Sequence, residues 1–282
     1  MRLRGLRGSR NVEDRRQTRS QGSTRKGRAG GLGVFGVLAV LAVGYFTGID
    51  VSPLLQGGSV PQQQGPVTAA DERAGEFTSK VLGTTEDVWT NVFAEQLGRE
   101  YNAPILVLFS GVTQSPCGGA SGATGPFYCP ADKKAYLDTS FFSTLSQRMG
   151  AGGDFAAAYV IAHEVAHHVQ NELGILSKVN QAKRTASQVE ANELTVRTEL
   201  MADCLSGVWA RNVQGVMERG DLAEALNAAR KIGDDHLQRQ AGRVPQPHTF
   251  THGTSDQRER WFARGYDSGA INQCDTFAAQ QL

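Results

Sequence analysis

The chain has 282 residues, 40% apolar and 20% charged, a balance that excludes an intrinsically disordered chain and fits one sizeable folded domain with appendages. Its net charge of +1 conceals an uneven distribution: ten Lys or Arg lie between Met1 and Arg28 against only Glu13 and Asp14, and the remainder is mildly acidic. A basic tail of this kind serves nucleic-acid contact, a membrane surface or a topology signal.

Residues 31–49 (GLGVFGVLAVLAVGYFTGI) choose between these roles. They carry no charge, and nineteen residues at about 1.5 Å rise cover roughly 28 Å, near the thickness of a bilayer's hydrocarbon core. The basic region before them is long for a signal peptide, the apolar run exceeds an h-region and no A-x-A-like site follows, so the segment reads as an uncleaved anchor. The expected order is a cytoplasmic tail over 1–30, one transmembrane helix over 31–49, a flexible Gln/Gly/Pro-rich linker over 50–69 and an extracytoplasmic domain over 70–282. The tail lacks interleaved aromatics and already has a topology role, so no nucleic-acid partner is expected.

Within the domain, Val88, Trp89, Val92, Phe93, Gln96 and Leu97 recur at helical spacing and predict a helix over 85–101, with Thr84 or Thr85 as its cap. The run 104–109 (PILVLF) predicts a strand. Cys117 and Cys129 bracket a Gly-rich loop, a spacing that fits a short disulfide of about 3 kcal/mol in the chain-entropy model. Residues 134–142 suggest a second strand or a strand-to-helix passage. Helices follow over 154–173, ended by Gly174, then over 189–212 and from Asp221 to about His236, and Ser255 can cap a last one bearing Trp261 and Phe262. Cys204 and Cys274 remain for a second bridge. An even cysteine count in an exported chain favours disulfides, and the lack of any C-x₂-C pair argues against a cysteine zinc site. Few strands and several long helices indicate a mixed α+β domain.

The chemistry sits in Tyr159-Val-Ile-Ala-His163-Glu164-Val-Ala-His167-His168. On a helix, His163 and His167 share one face and can present both imidazoles to one ion, while Glu164 lies about 100° away, beside the ion. That suits a general base for water on zinc. The flanks are apolar, so the helix is buried, where unpaired histidines would be costly. Catalytic zinc needs a third ligand, and Glu199-Leu-Met-Ala-Asp203 supplies one together with a partner: Glu199 to ligate, Asp203 to accept the free N–H of a ligand imidazole. Glu190, Glu193, His248 and His252 are the other candidate ligands. Glu190 and Glu193 rank lower for want of an acidic partner one turn on. His168 points away from the ligand face and reads as a polar contact, and His236 as a charged residue near a helix C-terminus.

These residues resemble the bacterial family of neutral zinc metallopeptidases, single-span proteins with an extracytoplasmic zincin domain. The likeness runs over 115–277: Gly-Pro-Phe-Tyr-Cys-Pro (125–130), Tyr136-Leu-Asp138, Phe141-Phe142, Tyr159 to Gln170, Glu199 to Asp203, His252 to Arg258 and Cys274 to Phe277. It leaves out the tail and linker. Ala166 stands where related motifs have Gly, and still fits a tight helix crossing. The resemblance implies a distant relation to gluzincins, hence two helical histidines, a downstream Glu ligand and a Glu base. The expected activity is hydrolysis of protein or peptide substrates with Zn²⁺ on His163, His167 and Glu199, Glu164 moving the proton. His252, His248 and Tyr159 are candidate oxyanion donors, His252 first. The rival is an inactive zincin-like scaffold at the membrane, against which the intact Glu164 argues.

Overall fold

Two central strands with unbroken apolar runs organise the small sheet. In the computed structural model, which describes residues 1–16, 67–121, 125–213 and 215–282, β1 (Val12–Asp14), β2 (Ile105–Phe109), β6 (Lys134–Asp138) and β5 (Phe127–Cys129) lie side by side in that order. β1, β2 and β6 run parallel, and β5 is antiparallel to β6. Strands covered on both faces need apolar side chains at successive positions. Accordingly Leu106, Leu108, Ala135 and Leu137 face the main core, while Val107, Phe109 and Tyr136 join Cys129 in a smaller one on the other face. β3 (Val112–Ser115) and β4 (Gly118–Ser121) form a separate hairpin. Cys117, in its turn, is bridged to Cys129 on β5.

Eight α-helices among the described residues complete an α+β architecture: α1 (Ala69–Val92), α2 (Phe141–Gln147), α3 (Asp154–Glu172), α4 (Ile175–Lys183), α5 (Gln188–Asn212), α6 (Asp221–Lys231), α7 (Asp234–Gln240) and α8 (Ser255–Ser268). α3 is buried almost all round, as its Ala-rich, apolar sequence requires, and stops where Gly174 turns left-handed at φ 75°. α8 lies against α5 at a glycine crossing. A Cβ at Gly265 would sit 1.8 Å from the Cys204 carbonyl oxygen, and one at Gly207 2.1 Å from that of Phe262. The Cys204–Cys274 disulfide ties the C-terminal segment to the same stretch of α5.

Four local expectations change. α1 begins at Ala69, capped reciprocally by Thr68 and Asp71, not at residue 85. Thr84 and Thr85 are buried inside it and satisfy their hydroxyls on the carbonyls of Val81 and Leu82. The helix expected over 221–236 is two helices broken at Gly233, where a Cβ would lie 2.4 Å from the Ser255 nitrogen. Thr254, with Gln257, caps α8 in place of Ser255. Finally, residues 1–16 pack on the domain, although a free basic tail was expected there. The expected span over 31–49 and most of the linker lie outside the described residues, among which no helix is long and apolar enough to cross a membrane.

Candidate metal centre

α3 and α5 bring together the pair of histidines and the acid that their spacing implied. Ligand atoms of His163, His167 and Glu199 all lie within 4.8 Å of one another. His163 Nε2 is 3.0 Å from Glu199 Oε2, and His167 Nε2 is 3.4 Å from Oε1. Each imidazole is held from behind by its other nitrogen. His163 Nδ1 lies 3.0 Å from Asp203 Oδ1, which makes Nδ1 the donor there and turns Nε2 inward. His167 Nδ1 lies 2.9 Å from Gln170 Oε1, and Gln170 is itself fixed by donating 2.7 Å to the Thr198 carbonyl. Two imidazoles and a carboxylate so gathered form a group able to hold a metal ion.

Behind the ligands the site closes completely. Asp203 accepts from Tyr159 Oη at 2.6 Å and from Arg258 Nε and Nη2 at 2.8 Å each, and Arg258 is 1% exposed. Burial alone would raise Asp203, but the Arg258 charge and His163 hold its carboxyl below the usual range. Burial would likewise lower His163, and the bonds to Asp203 and Glu199 outweigh it, lifting the imidazole to about 10. Toward solvent the ligand side stays partly open. Glu164 is half-buried, and no described residue donates a hydrogen bond to its carboxylate. Desolvation pushes Glu164 above the ordinary carboxylate range.

His252 does not join the three ligand atoms. It sits beside them, because Gly253 packs between Val196 and Leu200 of α5, a Cβ there meeting both at 3.2–3.3 Å. Asp234 organises this loop. Its Oδ2 accepts the backbone N–H of Thr251, His252 and Gly253, and its Oδ1 lies 3.2 Å from His252 Nδ1. Desolvation beside the cluster would lower His252, whose side chain is 49% exposed, and the Asp234 charge outweighs it.

Several other candidates take structural places. Glu190 completes the Ser187 cap of α5, Glu193 pairs with Arg197, and His248 belongs to a short 3₁₀ turn away from the cluster. Tyr159 is wholly buried against Asp203, so it orients a carboxylate and cannot reach a substrate oxyanion. His168 is buried between Tyr128 Oη and the Asn102 carbonyl. His236 lies in the first turn of α7, not near a helix C-terminus, and burial lowers its pKa. Gln170, Asp234 and Arg258 were missed as site residues. Only Gln170 left a local signal, three residues after His167 on the same helix.

No solved structure matches the chain. An uncharacterized protein of Escherichia coli (strain K12), YpfJ, is 52% identical over 239 residues, covering 83% of this chain and 82% of that protein. An uncharacterized protein of Mycobacterium tuberculosis (strain H37Rv), Rv2575, is 45% identical over 195 residues, 64% of this chain and 65% of its own length. The matching family model spans residues 1–277, so the likeness reaches into the N-terminal segment that the motifs alone had left out. With nearly its whole length matched, the chain belongs to the family described as "Putative neutral zinc metallopeptidase".

Proposed function

We propose that the chain is a zinc-dependent peptidase that hydrolyses peptide bonds in protein or peptide substrates. The observation that carries this reading is the convergence of His163, His167 and Glu199 beside a Glu164 carboxylate to which no described residue donates a hydrogen bond. Zinc held by those three residues would polarise a peptide carbonyl and lower the pKa of a water. Glu164 takes a proton from that water and hands it to the departing amine, which its desolvated, raised pKa favours. His252, held in place by Asp234, which also raises its pKa, donates a hydrogen bond to the oxygen on which charge develops. Asp203 and Gln170 keep the two imidazoles aimed while this happens. Two disulfides favour an oxidising, extracytoplasmic compartment for the domain, and the uncharged apolar stretch 31–49 supports attachment to a membrane.

The test is metal content by mass spectrometry with hydrolysis of a peptide library. One zinc per chain is expected, lost in Glu199→Ala and retained in Glu164→Gln, with hydrolysis abolished in both. Zinc retained without any hydrolysis by the parent protein would favour the inactive scaffold; no zinc after chelator-free purification would remove the catalytic reading.

A further inference from the structure

The N-terminal sixteen residues are built into the domain in a way that a tail on the far side of a membrane could not be. β1 extends the sheet in parallel register, Val12 opposite Leu106, Glu13 opposite Val107 and Asp14 opposite Leu108. Its ladder continues through Leu106 N–H to the Asn11 carbonyl at 2.8 Å and Arg15 N–H to the Leu108 carbonyl at 2.7 Å. The segment therefore covers the β2 edge, which would otherwise be an open row of backbone donors and acceptors.

The helix beneath is shaped to receive it. Glu86, in the middle of α1 and only 9% exposed, takes its side-chain partners from this segment: Arg7, Ser9 and Asn11. Removing them would strand a carboxylate in a site made for three donors. Gly83 lies mid-helix, where glycine costs about 1 kcal/mol. A Cβ there would press to 2.9 Å from the Arg7 carbonyl oxygen, and one at Gly75 to 2.8 Å from the Arg16 guanidinium. Gly83, which meets backbone, is thus explained by the segment lying across α1, while Gly75 meets only the end of the Arg16 side chain. Arg16, 5% exposed, bonds Asp14 and the Asp71 carbonyl, and Arg15 reaches Thr113 and the Gln114 carbonyl. Leu3, Leu6 and Val12 pack on the main core.

Arg7, Arg15 and Arg16 are therefore engaged with the domain and cannot also act as a cytoplasmic topology signal. A chain that crossed a bilayer once between Arg16 and Val67 would hold these partners on opposite sides. We infer that residues 1–16 are an integral part of the zinc-site domain and lie on the same side of the membrane as residues 67–282. The N-terminus is then not cytoplasmic when the domain is exported.

A disulfide trap in the full-length, membrane-attached protein tests this. A Cβ at Gly8 would lie 3.6 Å from the Ser79 Cβ, within the range a disulfide needs. Cells producing the Gly8→Cys/Ser79→Cys double variant are quenched with N-ethylmaleimide before lysis and digested with trypsin. The expected product joins the peptides 8–10 and 74–80 as completely as Cys117 is joined to Cys129. Alkylated peptides with an intact Cys117–Cys129 bridge would overturn the inference, as would a link that forms only after detergent extraction. Should the double variant fail to accumulate, Arg4→Cys and Gln240→Cys, both at exposed positions, are labelled separately with a membrane-impermeant maleimide on spheroplasts. Equal labelling supports one shared compartment; labelling of one position alone refutes it.

Discussion

Replacing Arg258 by Met probes whether the closed network behind His163 holds that imidazole, a proposed metal ligand, in place. Arg258 is 1% exposed and grips Asp203, which is fully buried, by two bonds of 2.8 Å. Breaking a buried pair by removing one partner costs about 3–5 kcal/mol, because the remaining charge is stranded. At roughly 2–4 °C per kcal/mol for a domain of this size, the metal-free protein should melt about 6–20 °C lower. Asp203 would then protonate or tilt, loosening His163. A disturbed partner of this kind typically weakens metal affinity about 10–100-fold. The assay pairs calorimetric Tm of the metal-free protein with zinc competition against a chromophoric chelator. Arg258→Lys, a point charge without the fork, should fall between. The double variant Asp203→Leu/Arg258→Met separates the two effects: apolar replacement of the whole pair should recover Tm relative to Arg258→Met while leaving zinc affinity weak. A single variant that melts within about 2 °C of the parent and binds zinc unchanged would refute the assignment.

His252→Ala should lower kcat about 10²–10³-fold with zinc content unchanged, the loss expected for one oxyanion donor. In Asp234→Asn the charge that raises His252 is gone; since the protonated imidazole acts below its pKa and is lost above it, the basic limb of the kcat/KM profile should move to lower pH. Because His163 is lifted to about 10, its charged form stabilises the metal-free fold fully below about 6.5 and ceases to do so as pH rises through 10. Zinc must displace that proton, so apparent affinity should climb about tenfold per pH unit from 7 to 9, read by titration calorimetry in buffers of different ionisation enthalpy. Gly265→Ala, with no room for its methyl against Cys204, should cost about 3 kcal/mol or more in a urea melt.

How much of this was legible follows from how far apart the partners are. His163, Glu164 and His167 share one helical turn, so their joint geometry is local and the sequence carries it in full. Glu199 and Asp203 are likewise one turn apart, and the role of each emerges once α5 crosses α3. Asp234 was hidden by reading 221–236 as one helix. Its partner His252 lies eighteen residues on, and the break at Gly233 is dictated by the approach of Ser255, which no periodicity records. Arg258 is 55 residues from Asp203 and looks in sequence like any charge on an amphipathic helix. The N-terminal segment misled by composition: a three-residue strand of Val, Glu and Asp amid arginines carries no strand signal, and its evidence is written elsewhere, in Gly83 and the buried Glu86 of α1.

The placement of Asp203 explains why such a network exists at all. Its carboxylate is where three helices meet: α3 through Tyr159 and His163, α5 through its own backbone, and α8 through Arg258. Gly207, Gly265 and the Cys204–Cys274 bridge fix the α5–α8 approach within about one turn of it. As a source of stability alone this is a poor arrangement, since desolvating an ion pair consumes most of what the pairing returns and an apolar trio would hold the helices as well. What apolar residues cannot do is set the tautomer and direction of an imidazole. The buried charge therefore serves the aim of His163, and the tight helix crossings around it hold its three contributors together.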